Sequence, residues 1–305
     1  MDSDEAIRQA EAILGEKEAQ YLKNKLKGGK SNEDGSRYED NFAVFKLAEC
    51  IYQVISGEAS ADLQVSSQVP CFVDDYMIYN PRTNSRESFQ LKNSANVSWS
   101  ASKHPIETDF MFHYLLDKAA GVENSKTILA VSSEQTHRKL ADNIPTRISE
   151  HTECVHFKDF LYLNQALLDD HELKAVLSKI STIDEADKLS HLHTVMKGVW
   201  SDYKGYFSDV GSLIKKIKAI KPQFLRSGEE PLVIDFEVEK ILSEIDGFSY
   251  RILDNNLIYE YSYGKGTLEG FVDFSSNEAF VEFTTRVLES KPNTFKDLYS
   301  LGILL

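Results

Sequence analysis

The chain has 305 residues, enough for two domains, and 42% of them are hydrophobic, which excludes a disordered tail and supports real cores. Its formal net charge of -14, from 34 Lys and Arg against 48 Asp and Glu, argues against unaided binding to a polyanion unless basic groups are gathered locally. Cys50, Cys71 and Cys154 stand apart without a Cys-x-x-Cys spacing, so reduced thiols are expected rather than a disulfide framework or structural zinc.

At the N-terminus, the acidic start Met1-Asp2-Ser3-Asp4-Glu5 is the opposite of a signal peptide, and no apolar stretch approaches the length of a membrane span. A cytoplasmic protein with no membrane partner is the expectation. Residues 5 to 27 carry Ile7, Ala10, Ile13 and Leu14 on one side and read as a separate helix, either core or an arm for a partner, ended by a Gly-, Ser- and Asn-rich loop over 28–35. Lys23, Lys25, Lys27 and Lys30 gather there. They are either a solvated face or an arm laid against phosphates, with Lys25, Lys27 and Lys30 as the candidate DNA contacts.

Residues 35 to 48 read as one amphipathic helix bearing Glu39. After it, Phe72-Val73-Asp74-Asp75-Tyr76-Met77-Ile78 has the residues of a strand, Asn80-Pro81-Arg82-Thr83-Asn84 those of a hairpin loop, and Ser88-Phe89-Gln90-Leu91-Lys92 a second strand. Alternation puts Gln90 and Lys92 on one face and Phe89 and Leu91 on the other, toward a core. Asp74 and Asp75 should face opposite sides, so only one is expected to join them. A carboxylate holds a hard divalent cation, a Gln carbonyl supplies another oxygen, and a lysine orients or deprotonates water and offsets charge on a phosphate. The same spacing also fits a hairpin with one solvated face.

Downstream, Ser94, Ser98, Ser100 and Ser102 surround Trp99 in a polar loop, with Ser94 placed either to touch a phosphate or simply to connect strand and helix. A helix over 106–120 with Ile106, Phe110, Tyr114 and Leu115 inward, and a buried strand over 127–132, follow. Residues 156–178 and 183–220 read as helices of a connector. His191 and His193 within it, two apart, do not share a helical face, and Lys215, Lys216, Lys218 and Lys221 form a second basic group, by default solvated. From Arg226 on, a helix over 236–245, three strands (248–252, 257–263, 267–274) and a helix over 277–290 predict a small α+β unit, with Tyr259, Tyr261 and Tyr263 alternating on one strand as sheet packing. No Gly-Lys-Ser/Thr phosphate loop is present, so ATP hydrolysis is not expected.

The pattern Gly35-x-x-Tyr38-Glu39-x-x-Phe42-Ala43 on a helix, then an Asp-led strand, then Gln90-x-Lys92, resembles the PD-(D/E)xK restriction-endonuclease-like superfamily over roughly residues 35 to 135. Within it the chain is most similar to nuclease effector domains of bacterial antiphage systems such as CBASS and Lamassu. The resemblance implies an α/β fold, with a restriction-endonuclease-like mixed sheet flanked by helices, a helical connector and a small α+β C-terminal domain. The corresponding segments are 1–34 (helix and linker), 35–150 (nuclease), 151–226 (connector) and 227–305 (interaction domain).

It also implies Glu39 as the helix acid, Asp75 as the main metal ligand with Asp74 competing, Gln90 as an auxiliary ligand where the family usually carries Glu or Asp, and Lys92 as the catalytic lysine. Asp75 is preferred because the family pattern places the ligand just before the alternating apolar run. The implied cofactor is Mg²⁺ or Mn²⁺. The implied partners are double-stranded DNA and a sensor or ATPase subunit, structural-maintenance-of-chromosomes-like in the Lamassu type, with a homo-oligomer as the active form. The expected function is a restrained DNA endonuclease effector. A catalytically idle subunit for assembly or DNA docking, and a DNA repair nuclease, are the alternatives.

Overall fold

The structure, a computed structural model, describes residues 3–28, 33–94, 96–100, 104–221, 224–226, 228, 232–253, 255–274 and 277–304. The N-terminal stretch folds as two helices, α1 (Ser3–Leu14) and α2 (Glu16–Gly28), where one was expected. The break is Gly15, at φ +105, a conformation that a side chain disfavours. Ala10, Ala19 and Leu22 then pack around Phe72 and Leu116, so this pair of helices is part of the body.

The next helix, α3 (Glu33–Ile55), begins before Gly35 and runs past the expected end. Its centre is apolar over most of its circumference: Phe42, Ala43, Val44, Leu47, Ala48, Cys50 and Ile51 are buried, and Lys46 pairs with Glu49 on the partly exposed side. A helix of that kind lies mostly inside a protein rather than on it.

The main sheet has six strands: β1 (Gln64–Ser66), β2 (Tyr76–Asn80), β3 (Ser85–Lys92), β4 (Asn124–Val131), β5 (Thr152–His156) and β6 (Ser208–Asp209), in the order β5-β4-β3-β2-β1-β6. It is mixed. β2 and β3 form the expected antiparallel hairpin, and Asn80 Oδ1 accepts from the Arg82 amide at 3.0 Å to hold the turn. β3, β4 and β5 run parallel, which requires crossovers, supplied by α4 (Ile106–Ala119) and α5 (Glu134–Ala141).

Side-chain alternation divides the core between the two faces of the sheet. Tyr76, Phe89, Leu91, Ile128 and Ala130 pack toward α3, while Leu129 and Val131 pack toward Phe110 of α4 and Leu140 of α5. The buried face of α4 is Asp109, Phe110, His113, Leu116 and Asp117, whereas Leu115, expected inward, is 42% exposed.

Between residues 150 and 226 the reading needs correction. Thr152–His156 is a strand with a mixed burial pattern, which hid it, and helices α6 (Leu163–Asp169) and α7 (His171–Ile180) replace a single one. Asp170 separates them. Its backbone is extended and its carboxylate accepts from the Glu172 and Leu173 amides at 2.9 and 3.1 Å, starting a new helix. Likewise α8 (Ala186–Ser201) and α9 (Val210–Ile220) are divided by β6, with Asp209 capping α9 through the Ser212 amide at 2.7 Å. The stretch read as a connector thus contributes β5 and β6 to the main sheet. Its helices bring Leu177, Leu189, Met196, Trp200 and Leu213 into the core that contains α3.

The C-terminal part is a small α+β unit with its own core. Antiparallel β7 (Phe248–Leu253), β8 (Asn256–Tyr263) and β9 (Gly266–Asp273) stand with α10 (Phe236–Ser243), α11 (Asn277–Ser290) and α12 (Phe295–Ser300) around Leu242, Leu257, Phe274, Phe283 and Val287. The Tyr259 ring lies across Gly270, where a Cβ would meet its hydroxyl at 2.2 Å, so β9 needs a glycine there. Tyr261 stacks on Phe295 at 4.0 Å, in keeping with sheet packing. Among the described residues, no helix is long and apolar enough to cross a membrane.

Candidate active site

Asp74 and Asp75 do not lie on a strand. β2 starts at Tyr76, and the preceding residues 71–75 are an irregular, bent segment between β1 and β2. Strand alternation therefore does not apply, and both acids turn toward the same pocket, correcting the expectation that only one would. Asp75 is fastened to β3: its Oδ2 accepts from the Leu91 amide at 2.6 Å and from Gln90 Nε2. Asp74 Oδ1 lies 3.8 Å from Lys25 Nζ.

Glu39, on α3, lies within electrostatic reach of both acids. Burial, then the charges of Asp75 and Asp74, push its carboxyl up to about 7, with Lys92 and Lys204 pulling the other way. Asp74 is likewise pushed up to about 7, by burial first and Asp75 next; burial outweighs the attraction of Lys25 and Lys92. Glu39, Asp74, Asp75 and Lys92 thus share one electrostatic environment, assembled from α3, the bent segment and the end of β3. Gln90, one turn of alternation before Lys92, is 4% exposed and points into it.

The pocket opens into a cleft of about 1120 Å³ whose walls include Tyr21, Lys25, Gln90, Lys92, Ser94 and Asp109. Tyr21 of α2 stacks on His104 at 3.7 Å, and the Trp99 indole donates to the Leu140 carbonyl at 3.0 Å, anchoring the loop that holds Ser94. Ser94 therefore lies on the cleft, beside Lys92.

Lys25 is elsewhere than an arm would put it. Its ammonium is turned inward, donating to the Phe72 carbonyl, to Gln90 Oε1 at 3.1 Å and to Asp109 Oδ2 at 3.1 Å. Neighbouring charges hold its pKa above the ordinary lysine value against the opposing effect of burial. The side chain of Lys27, and Lys30 altogether, lie outside the described residues. Lys215 and Lys216 of α9 are exposed, with Lys216 over the Tyr203 ring at 4.8 Å.

Sequence reasoning had Lys25 as a candidate DNA contact rather than as a partner of the acids, and it missed Asp109. A signal for Asp109 existed: Asp109, His113 and Asp117 recur every four residues along α4, a polar stripe on a helix whose other inward residues are apolar. Further along that stripe lies a second buried polar group. Asp117 accepts from Arg86 Nη1 and from Ser125 Oγ at 2.6 Å, and His113 Nε2 lies 2.9 Å from Ser88 Oγ and 3.5 Å from Asp117. Burial holds His113 down at about 4, so it is neutral there.

Hard oxygens crowded in a pocket are the donor chemistry of Mg²⁺ or Mn²⁺. As arranged, no three His, Cys, Asp or Glu side chains among the described residues are gathered to hold an ion. The donors are nonetheless suitable: two carboxyl groups, Glu39 and Asp74, pushed up by burial and by the charge of Asp75, would be relieved by a divalent charge. Gln90 Oε1 is already engaged by Lys25, and its amide nitrogen faces Asp75, so Gln90 would have to turn to offer Asp75's ion an oxygen. In comparisons with family models, curated proteins and solved structures, no match to this chain was found.

Proposed function

We propose that this protein is a metal-dependent DNA endonuclease of the PD-(D/E)xK type, acting as the effector of a bacterial antiphage or anti-plasmid system. The observation that carries the reading is the gathering of Glu39, Asp74 and Asp75 within reach of one another's charge and of Lys92, with Gln90 and Lys92 on the wall of a cleft. Three separate stretches of chain supply them. Structural ion networks rarely leave acids in such excess, because unbalanced buried charge destabilises a fold.

Asp75 and Glu39, with Gln90 turned, would hold Mg²⁺ or Mn²⁺. When bound, the ion supplies charge stabilisation at the phosphoryl oxygens and a more acidic water. Lys92 orients that water and offsets charge on the phosphate. The water would lose its proton to bulk solvent, because Glu39 as a ligand to the ion would not keep the raised carboxyl value of the metal-free pocket. The water oxygen bonds to phosphorus, the bond from phosphorus to the leaving sugar oxygen breaks, and that oxygen takes up a proton.

The acidic total of -14 supports restraint by a partner, a sensor or ATPase of structural-maintenance-of-chromosomes-like or nucleotide-sensing type, which would also bring basic surface. Cutting both strands with one site per chain favours a homo-oligomer as the active form. The test is plasmid cleavage by the purified chain with Mg²⁺ or Mn²⁺ beside Asp75→Ala and Lys92→Ala. Cleavage lost in both variants supports the reading, and cleavage retained in both refutes it.

One observation favours a second reading, a catalytically idle subunit for assembly or DNA docking: Lys25 already neutralises part of the acid pocket and holds the Gln90 oxygen. It predicts that defence against phage survives Lys92→Ala. A repair nuclease would instead cut selectively at branched or damaged DNA.

A further inference from the structure

Lys25 stands among oxygens in the manner of an ion. Its Nζ faces two carboxylates, Asp109 at 3.1 Å and Asp74 at 3.8 Å, one side-chain amide oxygen, Gln90 Oε1 at 3.1 Å, and one backbone carbonyl, Phe72. Carboxylate, amide and backbone oxygens together are the ligand mixture that protein sites offer to hard divalent cations. An ammonium has three N–H bonds, so it cannot saturate such a set. A residue of unused capacity is visible: Asp109 is 6% exposed, yet its second oxygen, Oδ1, has no hydrogen-bond partner among the described residues.

The lysine is part of the architecture rather than a passing surface chain. Leu22, one turn before it on α2, is fully buried against Phe72, and Tyr21 donates to Asp109 Oδ2 at 3.1 Å. Tyr21 and Lys25 therefore fix Asp109, and Lys25, itself anchored on the Phe72 carbonyl, lies beside Asp74.

We propose that Asp74, Asp109, Gln90 Oε1 and the Phe72 carbonyl form a second divalent-cation site, and that Lys25 is the built-in cation that occupies it. The chain thereby keeps one of two neighbouring cation positions permanently filled by its own ammonium. Lys25 also sets the rotation of Gln90, since an amide whose oxygen accepts from Lys25 must present its nitrogen to Asp75. This deepens the nuclease reading, on which it rests only for the meaning of the first site.

The test is the number of Mn²⁺ ions bound per full-length chain, read from free-ion electron paramagnetic resonance at millimolar Mn²⁺, for wild type, Lys25→Met and Lys25→Met with Asp109→Asn. Lys25→Met should bind one ion more than wild type, and the double variant should return to the wild-type number. If wild type binds none and Lys25→Met binds one, the nuclease reading loses its metal while the Lys25 assignment stands. An equal number of ions in wild type and Lys25→Met, whatever the affinity, overturns it.

Removing the lysine leaves Asp74 and Asp109 buried without their cation, so thermal unfolding of the same proteins is followed with and without Mn²⁺. A Lys25→Met chain that folds only with Mn²⁺ supports the assignment. One that stays unfolded in Mn²⁺ while the double variant folds shows charge balance alone and overturns it.

Discussion

Helix α4 carries two buried polar groups on one stripe, and they are built on different plans. Around Asp117 each charge has an answer: the carboxylate meets Arg86 and Ser125, and His113 is neutral. Around Asp109, two turns earlier, Asp74, Asp75 and Glu39 join it against Lys25 and Lys92, and two of the carboxyls are pushed toward neutrality. A balanced network holds a fold together; an acidic surplus is held by the fold, and needs a cation or a proton to be comfortable.

The sharpest way to separate the two is by activity. Asp75→Ala and Lys92→Ala should each lower plasmid cleavage by at least ~10²-fold, the usual scale for a lost electrostatic or proton-transfer group. Asp117→Asn should leave cleavage per folded molecule unchanged. If both groups affect cleavage equally, the contrast is void.

Stability should show the reverse order. Asp117→Ala strands a partly buried guanidinium and Ser125, and should cost about 3 kcal/mol in urea unfolding. A paired change of Arg86 and Asp117 to Met and Leu should recover most of it, whereas a loss equal to the single variant would mean the network's worth lies in packing.

The pH dependence of the metal-free chain separates the groups more finely. Glu39 and Asp74 titrate near 7 when folded but at 4.5 and 3.8 otherwise, so between those values the folded chain binds more protons and their contribution falls as pH rises to about 7. His113 leans the other way. Its folded value of about 4 lies below 6.5, so its contribution rises with pH across that interval. The Tm of Glu39→Gln with Asp74→Asn, minus that of wild type, should therefore grow from about pH 4.5 to about pH 7 and then level off. A flat difference would deny the acidic surplus.

The smallest effect is expected at the cleft wall. Ser94→Ala removes one neutral hydroxyl and should weaken DNA binding by about threefold in a fluorescence titration at fixed salt, against no change for Lys215→Ala on α9. An unchanged affinity for Ser94→Ala places the DNA path elsewhere.

Much of this was legible in the chain. The hairpin from Tyr76 to Lys92, the α4 helix, the buried β4 strand and the C-terminal meander all announce themselves by alternation, turn residues and apolar runs. The placement of Gln90 and Lys92 on one face of β3 follows from the same alternation. What was hidden depends on contacts that local pattern does not encode. The bend that turns Asp74 and Asp75 together is irregular backbone, Lys25 looks like any helix lysine until its partners are known, and β5 is a short strand of mixed burial. Asp109 belonged to a readable stripe, but apolar residues on α4 drew the face elsewhere.

The pocket also has a history in time. Lys25 finds its partners 47, 65 and 84 residues farther along the chain. A ribosome delivers the N-terminus first, so α2 must wait through the synthesis of the whole hairpin and the first turn of α4 before its lysine has a seat. A nascent or truncated chain that stops before Asp109 has no assembled cleft, and the cleavage proposed for this protein would become possible only once that residue has been made.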